Sequence, residues 1–593
     1  MLVPAACVMV SPASALRCVD RLGDPDRRRA CTRPTAAGWG KGAGLRARSV
    51  LVCGCALAAF ACASPGPGKP GSDPAEPETR LRALHEAGTP RRVVLVTVAG
   101  LEAADFLLAG GFALSPGGFA SSPGGFALSP GGFAAKPGDP VRMPFLAGLA
   151  AEGSFGVQAA PPTPGSSYAS HATLVTGLRP KRHGIVADEA LDASGDRAVP
   201  FSDSRLLKAT TLWDAALGRG VLALGWPSTD GARIELLVPD AAPEDPTQSW
   251  LAFVRQRSSP QLSEALEAIA KVQLAETPAG KSGEKRSAAS WPSAGERDAA
   301  FVELACQVAA SERDPALWLL RLVEPAEALG AHGYGSREHR DALARADARL
   351  ERLVDCLETA QRLIDTALFV SGDVSYRPVH TEIAPNTALV REKLIGRDPR
   401  SKTGVRSWLA LARSNGRSAY LYAENAQSAL EARRVLDAEA ARSGAFDIVP
   451  AAELASQGAD PQAWFGLAAR PGYGFGNALM GPLLRPSELR SRAGGFPFRE
   501  GAESAVGFVA WGRGVRQEIR VPELSLTDVA PTIAKLLGLR LDDGLDGRPL
   551  VGILRASQPL PPPGPKRIGV GSDGDVERTL RELGGGHDLG SDR

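Results

Sequence analysis

The sequence predicts an α/β fold in which a largely parallel central sheet carries helices on both faces. Three observations point there. Short apolar runs rich in β-branched residues recur, and the first of them, VVLVTVAG (Val93 to Gly100), reads as a strand buried on both sides. Helical segments with one apolar face alternate with such runs; from Arg337 to Ile364 that face holds Leu343, Leu350, Leu353, Val354 and Leu357. The 593 residues are 44% hydrophobic and 23% charged, which gives the chain enough apolar material for a sizeable core.

Along the chain, residues 1–62 read as a leader. Arg46 and Arg48 precede VLVCGCALAAFACA (Val50 to Ala63), an apolar run too short to span a bilayer but of signal-peptide length. It contains Ala59-Phe60-Ala61-Cys62, similar to a lipoprotein signal with Ala59 where Leu is usual; an ordinary cleaved signal is the other reading. Either one exports the chain to the periplasm or cell surface, and the first anchors it there by a lipid on Cys62. A Pro/Gly-rich linker (63–90) leads into an α/β domain over 91–555. Within that domain, four Gly/Pro heptads (GGFALSP, GGFASSP, GGFALSP, GGFAAKP; 110–138) forbid helix and strand and read as a surface loop.

MPFLAGLAAEG (Met143 to Gly153) reads as a helix with Pro in its first turn and Gly at its end. Strand-like runs follow: VLALGW (from Val221), LWLLRL (from Leu317), TALFVSGD (from Thr366), SAYLYA (from Ser418) and VGFVAW (from Val506). A hydrophilic stretch, 276–297, reads as a flexible insertion, and 556–593 as a disordered tail. Six of the eight cysteines lie within the first 62 residues. Cys306 and Cys356 remain in the body, read as buried thiols or as a single bridge. With 68 Lys plus Arg against 66 Asp plus Glu, the net charge of +2 speaks against a nucleic-acid polymer as partner.

In a sheet of this kind ligands gather at the carboxyl ends of the strands, here Ala99-Gly100, Val323 to His332 and Ser371 to Ser375. A further segment, PPTPGSSYASHATLVTGLRPKRHGI (Pro161 to Ile185), sets the hydroxyl of Ser167 just before a helix whose first turn contains His171 and Thr173. Unpaired N–H groups and positive dipole at that point suit a phosphate-bearing ligand.

These residues resemble the type I phosphodiesterase/nucleotide pyrophosphatase family of the alkaline phosphatase superfamily. Ser167, Tyr168, His171 through Gly177, Pro180 and His183-Gly184-Ile185 match its nucleophile block. MPFLAGLAAEG, GWPSTDGARIELLVP (from Gly225), RPVHTEI (from Arg377) and the stretch from Phe508 to Leu550 match other blocks in order. A sulfatase would need Pro and Arg at the positions held by Ala169 and His171.

The resemblance implies an alkaline-phosphatase-like core, Ser167 as nucleophile, and two divalent cations, usually zinc, held by His and Asp. Residue by residue the ligand set is thin. Ala99 stands for the first Asp, Ala328 for a second, Val374 for a His, and AGGFPF (Ala493 to Phe498) lacks the last His. His332 and Asp373 remain, with Glu324 and Glu327 as substitute carboxylates. His171, His183 and His380 read as structural, and Asp528 as a helix-start residue. Two functions follow from the resemblance. One is an exported, catalytically impaired member that binds a phosphate ester or a protein partner, with zinc weak or absent. The other is an active hydrolase using Ser167 with an altered metal site.

Overall fold

Eight strands build the central sheet of the computed structural model, which describes residues 88–107, 141–191, 198–240, 249–276, 292–400 and 404–555. They are β1 (Arg92–Val98), β2 (Ser154–Ala160), β3 (Val221–Trp226), β4 (Leu236–Pro239), β5 (Leu317–Leu322), β6 (Thr366–Ser371), β7 (Val506–Gly512) and β8 (Ile519–Ser525). Their order across the sheet is β8-β2-β7-β6-β1-β5-β3-β4. The half from β6 to β4 is parallel throughout, as the apolar runs imply. β7 runs against both of its neighbours, β6 and β2, while β2 and β8 are parallel.

β1 lies at the centre and all seven of its residues are buried. Alternate side chains serve opposite faces, as the period of two requires. Val94, Val96 and Val98 pack with Leu146, Leu304 and Leu353, from helices α1 (Pro144–Glu152), α3 (Ala294–Ala310) and α5 (Arg337–Thr359). Val93 and Leu95 pack on the other face with Leu174 of α2 (Ser167–Thr176) and Ile533 of α6 (Val529–Leu537). Each such side chain stabilises by about 1.5–3 kcal/mol on burial. Both faces are therefore covered, and a further helix, α4 (Glu324–His332), follows β5 at the sheet's carboxyl edge.

Several expectations are corrected. SAYLYA is not part of the parallel sheet. It pairs antiparallel with Ala410–Asn415 across the turn Gly416-Arg417, and with Phe465–Ala469, in a separate four-stranded antiparallel sheet. A two-residue connection can only join antiparallel strands, and Gly416 supplies the positive φ of 70° that it needs. The hydrophilic insertion ends earlier than 297, because α3 begins at Ala294, capped by Ser293 accepting from Glu296 N–H. The helix from Arg337 stops at Thr359, and Ile364 lies in a separate short turn. Cys306 and Cys356 form the single bridge, joining α3 to α5 with Cα atoms 5.3 Å apart. The leader, most of the linker, the heptads and the tail lie outside the described residues. Among those described, no helix is long and apolar enough to cross a membrane.

Candidate active site

α2 begins where the loop 161–166 turns in over the sheet. Ser166 caps it, its hydroxyl accepting from Ala169 N–H at 3.4 Å, so Ser167 is the first helical residue. The Ser167 hydroxyl donates to Asp373 Oδ2 at 2.6 Å. The other oxygen of Asp373 accepts Gly100 N–H at 3.0 Å and its neighbour Val374 N–H at 2.7 Å. Three sequence-predicted positions, Gly100, Ser167 and Asp373, thus meet at the carboxyl edge of β1 and β6. The geometry explains why a carboxylate stands at 373: the two strand ends leave buried N–H groups that need an acceptor.

Arg321 completes the cluster, and sequence reasoning missed it. It sits in register beside Thr97 on β5, whose other residues are buried and apolar, and its side chain is 13% exposed. One nitrogen donates to Ser167 Oγ at 3.0 Å and another to the Asp240 carboxylate just beyond β4. Burial works to lower its pKa, but Asp240 and Asp373 outweigh this and raise it above the ordinary arginine value, so the guanidinium is fixed as a cation. A fourth charged group, Asp188, accepts Tyr168 N–H at 2.8 Å at the start of α2. Burial holds the Asp188 carboxyl up at about 6, against the lowering pull of that hydrogen bond and of Arg321. The signal available in sequence was a lone arginine in LWLLRL, because a charge in a buried strand demands a partner.

The histidines of the nucleophile block are structural, as expected. His171 Nδ1 lies 2.7 Å from the Ser167 carbonyl, which can only accept, so that nitrogen carries the proton. Burial, helped by Arg321, lowers its pKa to about 4. The ring is therefore neutral, and Nε2 accepts from the Thr97 hydroxyl at 2.8 Å. His183 accepts Ile185 N–H and bonds Thr173 Oγ1 at 3.0 Å, with its pKa lowered to about 3 by burial. His380 is exposed beside Thr381 and Tyr473. Asp528 accepts Ser525 N–H and Arg548 N–H at the turn before α6.

The other residual ligand, His332, is not brought to the cluster. It is the last residue of α4 and faces solvent, while Leu329 on the same helix turns inward over Gly100. Its neighbours give no substitute: Glu327 is exposed, and Glu324 is bonded to Arg345 and Arg349. AGGFPF does approach the site, with Gly165 N–H donating to Gly495 carbonyl at 3.1 Å. A side chain at Gly494, however, would come within 2.7 Å of two backbone carbonyls.

A pair of cations held by about three protein ligands each does not fit these residues. Ala99 and Val374, both buried, supply no donor atom, and among the described residues no group of three His, Cys, Asp or Glu side chains lies close enough to hold one ion. A cavity of about 790 Å³ lined by Arg391, Arg397, Arg442 and Met480 includes none of the cluster's residues.

The fold, with Ser167 at the start of a helix by the sheet's carboxyl edge, is that of an α/β protein of the alkaline phosphatase superfamily. A family model described as type I phosphodiesterase / nucleotide pyrophosphatase matches residues 127–465, more than half of the chain, and the chain belongs to that family. Its members are generally dependent on zinc. Among solved structures, human ectonucleotide pyrophosphatase/phosphodiesterase 5 is similar at 15% identity and a TM-score of 0.51, over 78% of this chain and all of that one. The murine protein of the same name shows 16% identity and a TM-score of 0.48, over 76% and 95%. At such identity the likeness to the human structure shows the fold alone. No curated protein sequence matches the chain.

Proposed function

We propose that this chain is an exported family member that binds rather than hydrolyses, its ligand a phosphate ester or a protein partner. The observation that carries this reading is the donor set around Ser167. Among the described residues Asp373 is the carboxylate bonded to the serine, and both of its oxygens are already engaged by Ser167, Gly100 and Val374. Hydrolysis in this family relies on cations to deprotonate the nucleophile and to neutralise the phosphoryl oxygens. With Ser167 as the donor of that hydrogen bond, its hydroxyl keeps its proton. Export is supported by the apolar run before Cys62 and by the Cys306–Cys356 bridge, since disulfides persist outside the reducing cytosol. Lipidation at Cys62 would place the protein on the cell surface.

A second reading is favoured by one feature. Ser167 lies at the start of α2 beside a carboxylate, an arrangement that an active hydrolase with an altered metal site would also need. Turnover of a generic aryl phosphodiester, measured with and without added zinc and with Ser167→Ala as control, separates the two. The expected result is no turnover above the Ser167→Ala background. Serine-dependent turnover replaces the binding reading by the hydrolytic one.

A further inference from the structure

Arg321 lies where a charge is expensive, on a central strand whose other five residues are apolar and buried. Its surroundings compensate for it in detail. The guanidinium holds the Asp240 carboxylate on one nitrogen and the Ser167 oxygen on another, and the Ser167 hydroxyl donates a hydrogen bond to Asp373. Asp373 has no oxygen left without a donor. The side-chain chain Asp240–Arg321–Ser167–Asp373 is thus closed at its end by the backbone N–H groups of Gly100 and Val374. A divalent ion on Ser167 and Asp373 would sit beside a like charge, because the Arg321 nitrogen lies 3.0 Å from the serine oxygen and already holds one of its two lone pairs.

We propose that Arg321 is the resident cation of the cleft: it supplies covalently the positive charge that zinc brings in the family, and it excludes a divalent ion from Ser167 and Asp373. This rests on the binding reading above and gives it a physical cause. It also assigns Arg321 as a positioning residue, because the guanidinium fixes the rotamer of Ser167 rather than touching a ligand.

The inference makes a gain-of-binding prediction. In Arg321→Ala the Ser167 lone pair is freed and Asp240 and Asp373 lose their counter-charge, so the cleft becomes an unbalanced acidic site. Titration calorimetry of the full chain with zinc chloride alone is the test. The wild type shows no saturable zinc binding that Asp373→Asn removes, and its melting temperature is the same in EDTA as in excess zinc. Arg321→Ala binds zinc at least about tenfold more tightly than wild type, and the added Asp373→Asn change abolishes that gain. Arg321→Lys, which keeps the charge, behaves as wild type.

Stoichiometric zinc in the wild type that Asp373→Asn releases overturns the proposal, and so does an Arg321→Ala protein that folds but gains no zinc affinity. Should Arg321→Ala not fold, the wild-type EDTA comparison and Arg321→Lys still decide. The two readings fail separately. Serine-dependent turnover in EDTA would defeat the binding reading and leave the resident cation standing. Bound zinc without turnover would do the reverse.

Discussion

The two sides of the cleft have been treated differently by the fold. On the α2 side, Ser167, Asp373, Arg321, Asp240 and Asp188 are linked in one polar cluster, and each is bonded to backbone or to another member. On the α4 side, His332 faces water at a helix end and Glu324 is turned toward arginines of α5. The difference teaches what holds a polar residue in place by packing and hydrogen bonding alone. Asp373 answers a local need, the buried N–H groups of Gly100 and Val374, and that need exists with or without a cation. A histidine at the end of α4 answers none, since water satisfies it equally well.

The largest expected effect that would sharpen this contrast is on Asp373. Replacing it by Ala strands two buried backbone N–H groups and one hydroxyl, at about 1–3 kcal/mol each for fully unsatisfied groups. We expect a loss of about 3 kcal/mol in urea unfolding. A loss below about 1 kcal/mol would mean that Asp373 is not structural and would dissolve the comparison.

A middle-sized effect lies in the pH dependence on the α2 side. His183, held at about 3, refuses a proton that the unfolded chain accepts near its ordinary value of 6.5. Stability from this group is therefore whole above pH 6.5 and falls as pH drops from there towards 3, by about 1.4 kcal/mol per pH unit. Asp188, held up at about 6, opposes it across the same acid range, so the total slope is ambiguous. The difference between wild type and His183→Gln is not, because the acidic terms cancel. Unfolding midpoints at pH 7, 6 and 5 should show the wild type losing stability more steeply than the variant. Parallel curves would mean that His183 is solvated.

The smallest effect is on the α4 side. His332→Ala should change stability by less than about 0.5 kcal/mol, as an exposed position does. A larger loss would show that His332 reaches an interior partner, and the contrast between the two sides would break.

Much of the fold could be read from the sequence, and the reasons are visible in single elements. VVLVTVAG was unmistakable because a strand buried on both faces has no polar side to dilute the pattern. The Ser167 block was legible because Ser167, His171 and His183 lie within one short stretch of chain. SAYLYA was misplaced because a strand's own residues do not say which sheet it joins; the turn before it did, through Gly416. Arg321 and Asp240 are 81 positions apart, and only the closure of β5 against β3 and β4 makes them a pair. His332 was matched by residue type in a block that carries the motif's letters without its geometry. Val374, read as standing where the family has a His, is buried against Gly165.

The arrangement of β2 also governs how the chain must reach its final state. This strand, Ser154–Ala160, hydrogen-bonds only to β7 and β8, which begin at residues 506 and 519. Roughly 350 residues are made before its partners exist, so contacts of very long sequence separation close the sheet. Until then β2 has two exposed edges, the feature that invites mispairing with other chains. A nascent chain threaded from its amino end can therefore assemble the β6-β1-β5-β3-β4 half early, but the other half waits for the last strands to emerge. Truncation between Ala160 and Ile519 leaves at least one edge of β2 open, so products ending there should accumulate as aggregates rather than as smaller soluble folds.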